Sequence, residues 1–184
     1  DEVLSALSLR DGGAYVDGTF GLGGYTRAIL DGADTTVWAI DRDPEAIARG
    51  ATLVEEYDPR LTLLQGRFGE MAELLQQAGI EKIDGVVLDL GVSSPQIDDA
   101  GRGFSFRFDG PLDMRMDPDG PLDAKAWLNQ ADAHEIADVL WRYGEERRSR
   151  RIARAIVAQR EKSPLQTTHE LAALVAEVCP SRER

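Results

Sequence analysis

The sequence predicts an α/β fold, a parallel sheet with helices on its faces, followed by a loop-rich and then helical second part. Three observations predict it. Short runs rich in Val, Ile and Leu alternate with helical patterns through the first half of the chain. A glycine-rich turn joins the first apolar run to the first helix. After Pro95 the strand patterns stop. Alternating strand and helix makes parallel strands joined by crossover helices, which pack on the faces of the sheet.

Taken in order, Ala14–Asp17, Thr36–Ile40, Leu61–Leu64 and Asp84–Leu90 read as strands, being short, apolar and bounded by Gly, Asp or charged residues. Gly24–Leu30, Pro44–Tyr57 and Phe68–Gly79 read as helices, with Pro44 suited to a first turn and Gly79 to a C-terminal stop. Ile97–Gly120 has little periodicity and reads as a long ordered loop, in which Phe104, Phe106 and Phe108 argue against disorder. Those rings could stack on bases, but anchoring of the loop on the core is the preferred reading. After Pro121 the pattern is helical, and Asp132 with Glu135 and Thr167 with Glu170 have the spacing of helix-starting capping boxes. The expected organisation is a sheet domain over residues 1–98 and a loop and helical domain over 99–184.

Composition narrows the function classes. The 184 residues carry 42% hydrophobic and 29% charged side chains, ordinary for a globular protein. No apolar run approaches the roughly 18 residues of a membrane helix, and no signal-peptide pattern opens the chain. Cys179 is the only cysteine, which excludes an internal disulfide and points to a reducing, cytoplasmic setting; no metal site is expected. His134 and His169 lie in helix-capping contexts and read as surface residues. A net charge of −12 excludes a general nucleic-acid coat. Between Trp141 and Lys162, however, eight basic residues stand against three acidic ones, a local excess of +5. Such a patch is compatible with docking on one defined RNA site, but from charge alone a solvated helix face with internal salt bridges is the favoured reading.

The strongest local signal runs from Val16 to Gly24, where Asp17 ends a strand and Gly21, Gly23 and Gly24 lead into a helix. Glycine permits a tight turn and close approach of backbone to a ligand, and a helix start offers free N–H groups. The spacing departs from the dinucleotide G-x-G-x-x-G pattern because Thr26 stands where the third glycine belongs. An acid ending the first strand, followed by Gly-x-Gly, is instead the pattern of the methyltransferase version of this fold. On that pattern Asp17 would help bind the ammonium group of S-adenosylmethionine, directly or through water; a glycine-rich turn with no ligand is the competing reading. Asp41, 20 residues after Gly21, ends the second strand and can accept hydrogen bonds from ribose hydroxyls; capping of the following helix is its competing role. Phe68 follows the third strand and could flank an adenine, or pack in the core. Asp89 ends the fourth strand, where it could face the same crevice or stabilise a turn. Gln96 on the adjoining loop could hydrogen-bond at the site.

These residues resemble the bacterial small-subunit ribosomal RNA cytosine-N4 methyltransferases, the MraW family. The matching stretches are Asp17–Gly21, Ala39–Pro44, Asp89–Gln96, Arg102–Phe106, Asp109–Asp117 and Tyr143–Arg147, so the resemblance covers essentially the whole chain. It implies a Rossmann-like class I methyltransferase sheet with a helical insertion domain that helps recognise RNA. It also implies that the later strands of the sheet lie outside this chain. Gly23, Gly24, Tyr25, Asp41, Phe68, Asp89 and Gln96 fall at its cofactor-contacting positions, with Tyr25 standing where the family usually has His. The implied cofactor is S-adenosyl-L-methionine, and the implied partner is ribosomal RNA or the small ribosomal subunit.

The chemistry of such an enzyme asks for a group that activates a poorly nucleophilic cytosine N4. Asp89 is the first candidate and Asp113 a weaker one, beside Asp117; the sequence Asp89-Leu90-Gly91-Val92 differs from the Pro-Pro-aromatic form of many amino-methyltransferases. Arg115, Arg147, Arg151 and Arg154 are the phosphate-contact candidates, the last three at a spacing that shares one helix face. Three other readings compete. A methyltransferase acting on a small molecule or protein needs neither the basic segment nor the Arg102–Asp117 loop. A nicotinamide oxidoreductase lacks its third glycine. A non-catalytic nucleotide-binding fragment remains if the sheet is incomplete.

Overall fold

The computed structural model describes residues 2–180. The chain forms two compact units that divide between Ser93 and Ser94; the sequence reading draws its boundary after residue 98.

The first unit contains α1 (Glu2–Leu7), β1 (Ala14–Asp17), α2 (Gly24–Gly32), β2 (Thr36–Asp41), α3 (Pro44–Arg49), α4 (Ala51–Glu56), β3 (Leu61–Gln65), α5 (Met71–Gln77) and β4 (Gly85–Val87). All strand pairs are parallel and the order across the sheet is β3-β2-β1-β4. Side chains alternate along the strands as the pleat requires. Tyr15, Val37 and Ala39 enter one apolar cluster with Ile29, Leu30 and Leu53, while Val16 and Ile40 enter another with Leu75. Burial of both faces is why these strands read as nearly continuous apolar runs.

Several boundaries differ from the sequence reading, each for a local reason. The expected Pro44–Tyr57 helix is two helices broken at Gly50. A Cβ there would lie 2.5 Å from Leu63 Cδ1 and 2.7 Å from Phe20, so close packing demands glycine, and glycine is a poor helix former. The expected Phe68–Gly79 helix begins as a 3₁₀ turn over Phe68–Glu70. Its end is as expected: Gly79 takes φ 77°, with Gly79 N–H bonded to Gln76 O and Ile80 N–H to Leu75 O, the Schellman arrangement. β4 is shorter than expected. Beyond Val87 its backbone is satisfied by the turn after β1, since Asp89 N–H donates to the Thr19 hydroxyl at 2.7 Å instead of continuing the ladder.

The second unit contains α6 (Ser94–Asp98), α7 (Ala124–Gln130), α8 (Ala133–Arg142), α9 (Ser149–Arg160) and α10 (Thr168–Val178). Leu112, Leu128, Ile136, Ile152, Ile156 and Leu165 form its core. Asp132 caps α8 by accepting from His134 and Glu135 N–H, and Thr167 and Glu170 form a full capping box on α10. The Glu135 carboxylate does not return to the cap; it accepts from Trp127 Nε1 at 2.9 Å. The stretch expected as loop from Ile97 contains the end of α6 and a 3₁₀ turn over Ala100–Arg102 before turning irregular. Within it Phe104 is half-buried but Phe106 and Phe108 are 73% and 56% exposed, so anchoring fails for two of the three rings. No described helix is long and apolar enough to cross a membrane.

Gly110 packs against the backbone of Ala100, where an added Cβ would lie 1.9 Å from the carbonyl oxygen. Gly110→Ala is therefore expected to destabilise the protein by about 1–3 kcal/mol, as overpacking does. Urea unfolding followed by circular dichroism measures it; a loss below about 0.5 kcal/mol, typical of neutral surface changes, would contradict this packing.

Candidate cofactor and RNA sites

The order β3-β2-β1-β4 reverses direction at β1, so the crevice outside the carboxyl ends of β1 and β4 is the switch point at which open parallel sheets bind ligands. The turn after β1 forms the floor of this crevice. Its two neighbouring carboxylates are directed at its backbone. Asp41 Oδ2 accepts from Gly21 N–H at 2.8 Å, and Asp41 Oδ1 accepts from Asp43 N–H at 2.9 Å. Asp17 is fully buried; its Oδ1 accepts from Thr19 N–H at 3.1 Å and its Oδ2 from the Thr26 hydroxyl at 2.8 Å. Burial pushes the Asp17 carboxyl up from its ordinary range, and the bonds from Thr26 and Thr19 pull partly against that. The residue in place of a third glycine, Thr26, is thus the side chain that stabilises the buried acid. Sequence reasoning misses both Thr19 and Thr26 as parts of the site; the absent glycine at position 26 is the signal that could have found the second.

The loop geometry explains its glycines in different ways. Gly23 caps α2 at φ 77°, and a Cβ on it would press on Phe20 and Leu53 at 2.8 and 2.9 Å. Gly24 has no such internal cause: its φ is ordinary and a Cβ would meet nothing within 4 Å. The space beside Gly24, at a helix start that no side chain caps, is free for a ligand. Tyr25, next along, is half-buried and packs against the first core cluster.

Phe68 reaches the same region, because a Cβ built on Gly18 would lie 3.2 Å from Phe68 Cβ and 2.4 Å from Leu88. Phe68 is 46% exposed and therefore not a core residue, and Leu22, Leu88 and Leu90 are exposed with it. Apolar walls with a few placed polar groups are the usual make-up of a small-molecule site. A separate hollow of about 200 Å³ beside Phe20, Gly21 and Arg49 contains neither Asp17, Asp41 nor Asp89. The first unit thus brings the turn residues Asp17, Gly21, Gly23 and Gly24 together with Asp41, Phe68 and the backbone of Asp89, while the Tyr25 side chain packs against the core cluster. Gln96 lies on α6 in the second unit, where it is buried.

In the second unit the candidates separate. Asp113 and Arg115 are spent on each other: Arg115 Nε donates to Asp113 Oδ1 at 2.9 Å and Arg115 Nη2 to Asp113 Oδ2 at 2.6 Å, while Arg115 Nη1 donates to Gly120 O at 2.8 Å. The Arg115 guanidinium holds the Asp113 carboxyl below its ordinary range. This bidentate pair organises the loop, and the geometry lends no support to Asp113 as an acceptor-activating group or to Arg115 as a phosphate contact. Arg102 is buried and donates from Nη2 to the carbonyls of Arg115 and Met116 at 3.1 and 3.0 Å, which organises the same loop. Arg147, Arg151 and Arg154 are exposed; Arg147 precedes α9, so the three are brought together along one groove and not on one helix face. Among the described residues no three His, Cys, Asp or Glu side chains cluster as metal ligands.

A parallel sheet with a carboxylate-pinned glycine turn at its switch point is the architecture of the Rossmann-like class. The chain belongs to the MraW methylase family, whose model matches residues 1–184. It is 59% identical over 180 residues to the ribosomal RNA small subunit methyltransferase H of Rhodospirillum centenum, covering 98% of this chain and 54% of that protein. It is 58% identical over 177 residues to the protein of the same name in Parvibaculum lavamentivorans, covering 96% and 52%. Against that of Gluconobacter oxydans the identity is 57% over 183 residues, covering 100% and 55%. The chain spans about half the length of the curated relatives it matches.

The Asp17–Thr26 pair yields a signed pH prediction. A carboxyl raised on folding adds stability that is present below its unfolded range near 3.8 and is lost as pH rises through the folded value. The Thr26 bond opposes that shift, so it stabilises the ionised form. Thr26→Val should cost about 1–3 kcal/mol at pH 8, and less as Asp17 is protonated on acidification. Urea unfolding at a series of pH values reads this; a cost that grows toward acid would reverse the assignment.

Proposed function

We propose that the protein transfers a methyl group from S-adenosyl-L-methionine to the exocyclic N4 of a cytosine in small-subunit ribosomal RNA. The names of its relatives support the RNA and the methyl transfer, and the family resemblance supports N4 as the acceptor. The observation that carries the cofactor reading is the turn at Gly21–Gly24, pinned by two carboxylates and open beside Gly24. An RNA substrate places the work in the cytoplasm, with free ribosomal RNA or the small subunit as partner.

The cofactor supplies an electrophilic methyl carbon on a sulfonium. Asp41 has lone pairs left on both carboxylate oxygens after binding Gly21 and Asp43, and these suit a pair of ribose hydroxyls. Phe68 offers an exposed ring face for the adenine. Asp17 carries negative charge beneath the turn when ionised; being buried and already bonded to Thr19 and Thr26, it acts on the ammonium group through the loop or a water. Asp89 follows β4 with its backbone held to Thr19, so the segment that begins there has a fixed start from which to set the acceptor base. A hydrogen-bond acceptor facing N4 localises the nitrogen lone pair and takes up developing positive charge, and positioning of the two reactants contributes much of the rate. The sheet domain serves the cofactor and the helical domain serves the RNA, whose base must leave its stack to react.

Asp41→Ala should weaken S-adenosylhomocysteine binding at least about tenfold, the cost of losing hydrogen bonds to a charged group, as measured by calorimetry. In the full-length protein, methyl transfer to small subunits from cells lacking the enzyme, with mass mapping of the product, should find the methyl on a cytosine N4. A methylated protein or small molecule with unmodified RNA would refute the reading.

A further inference from the structure

We infer that the groove between α8 and the start of α9 binds a single-stranded segment of the RNA substrate, with one unpaired base stacked on Trp141 and the neighbouring phosphates on the arginines around it. The inference rests on the reading of the protein as an RNA methyltransferase and adds the form of RNA recognised and the residue that selects it.

The groove, about 450 Å³, is lined by Trp141 together with Arg147, Arg148, Arg150, Arg151 and Arg154. Its construction is local. Ile136 of α8 packs with Ile152, Ala153 and Ile156 of α9 to join the helices. The connecting turn is closed by Glu145 N–H to Trp141 O and Glu146 N–H to Leu140 O, with Glu145 at φ 50°. Trp141 sits at the end of α8, outside the packed seam, and is 56% exposed.

Two features need explaining. An exposed indole is a large apolar surface left in water. Five guanidinium groups crowd around it, and among the described residues none of them makes an ion pair; Arg154 Nε donates only to the Arg150 carbonyl. The one acid lining the groove, Asp138, is paired with Arg142 at 3.2 Å. In a chain of net charge −12 this is a concentrated cationic site with no ion-pair partner among the described residues.

A polyanion with flat apolar faces satisfies both features at once. In A-form duplex RNA the base faces are stacked inside, so an indole has nothing to cover; in a single strand they are free, and aromatic stacking with basic backbone contacts is the general solution. An acidic peptide would satisfy the arginines but leave the indole unexplained.

The test uses the full-length protein and fluorescence anisotropy with a labelled single-stranded RNA oligomer, the same oligomer as a duplex, and an acidic peptide. Single-stranded RNA should bind most tightly. Trp141→Ala should weaken it between about 5- and 150-fold, the range that removal of one base–aromatic stack produces, with the salt dependence unchanged, while Trp141→Phe retains most of the affinity. Arg150→Ala with Arg151→Ala should instead flatten the salt dependence by about 0.7 in slope for each phosphate that is no longer neutralised. Affinity for S-adenosylhomocysteine should stay at the wild-type value in all variants. Wild-type affinity in Trp141→Ala, or preference for the duplex or the peptide, would overturn the groove as a single-strand site and leave the methyltransferase reading standing. Failure of the wild-type protein to bind S-adenosylhomocysteine would instead remove that reading.

Discussion

The bond from Gly21 N–H to Asp41, 2.8 Å long and joining residues 20 apart, is the constraint on which the cofactor crevice depends. It ties the turn after β1 to the tip of β2. On the other side Gly18 N–H bonds Val87 O at 2.9 Å and Thr19 accepts from Asp89, tying the same turn to the segment after β4. The turn is therefore fixed to both neighbours of its own strand, and Asp17 holds it from beneath. A loop so anchored is preorganised, and ligand binding need not order it. The arrangement has an electrostatic cost, since a carboxylate is buried and a second one lies close enough to raise it further. Backbone and hydroxyl donors offset that cost.

The second unit solves a different problem with the same chemistry. Its long irregular stretch has few apolar side chains to bury, so charged forks organise it. Arg115 clamps Asp113 and Gly120, and the buried Arg102 bridges to the carbonyls of Arg115 and Met116. The backbone of this stretch is then sewn to the start of α10, where Leu112 N–H bonds Gln166 O and Thr168 N–H bonds Gly110 O. Charges that sequence inspection reads as available for substrate are thereby consumed. The arginines around the start of α9 have no ion-pair partners among the described residues.

Much of the fold was legible because its signals are short-range. Strand alternation, Pro44 at a helix start, the Gly79 stop and the Thr167 cap are each decided within a few residues. The glycine turn and Asp41 were legible because a strand, a turn and a helix in that order leave little freedom. What escaped depends on tertiary approach, on side-chain direction or on where a helix begins. Gly50 breaks a helix because Leu63 and Phe20 approach it. Arg115 could not be told from a phosphate contact without seeing that it folds back on Asp113, two residues away. The spacing of Arg147, Arg151 and Arg154 implied one face only if the helix began early, and the turn at Glu145 delays it to Ser149.

Whether the pinned turn is the seat of an adenosyl ligand can be read amide by amide. Titration of S-adenosylhomocysteine into isotope-labelled full-length protein should shift the backbone resonances of Gly21 to Tyr25, Asp41 and Phe68 together, with a single apparent affinity. Saturating shifts confined to other parts of the chain, with those amides unmoved, would contradict the account.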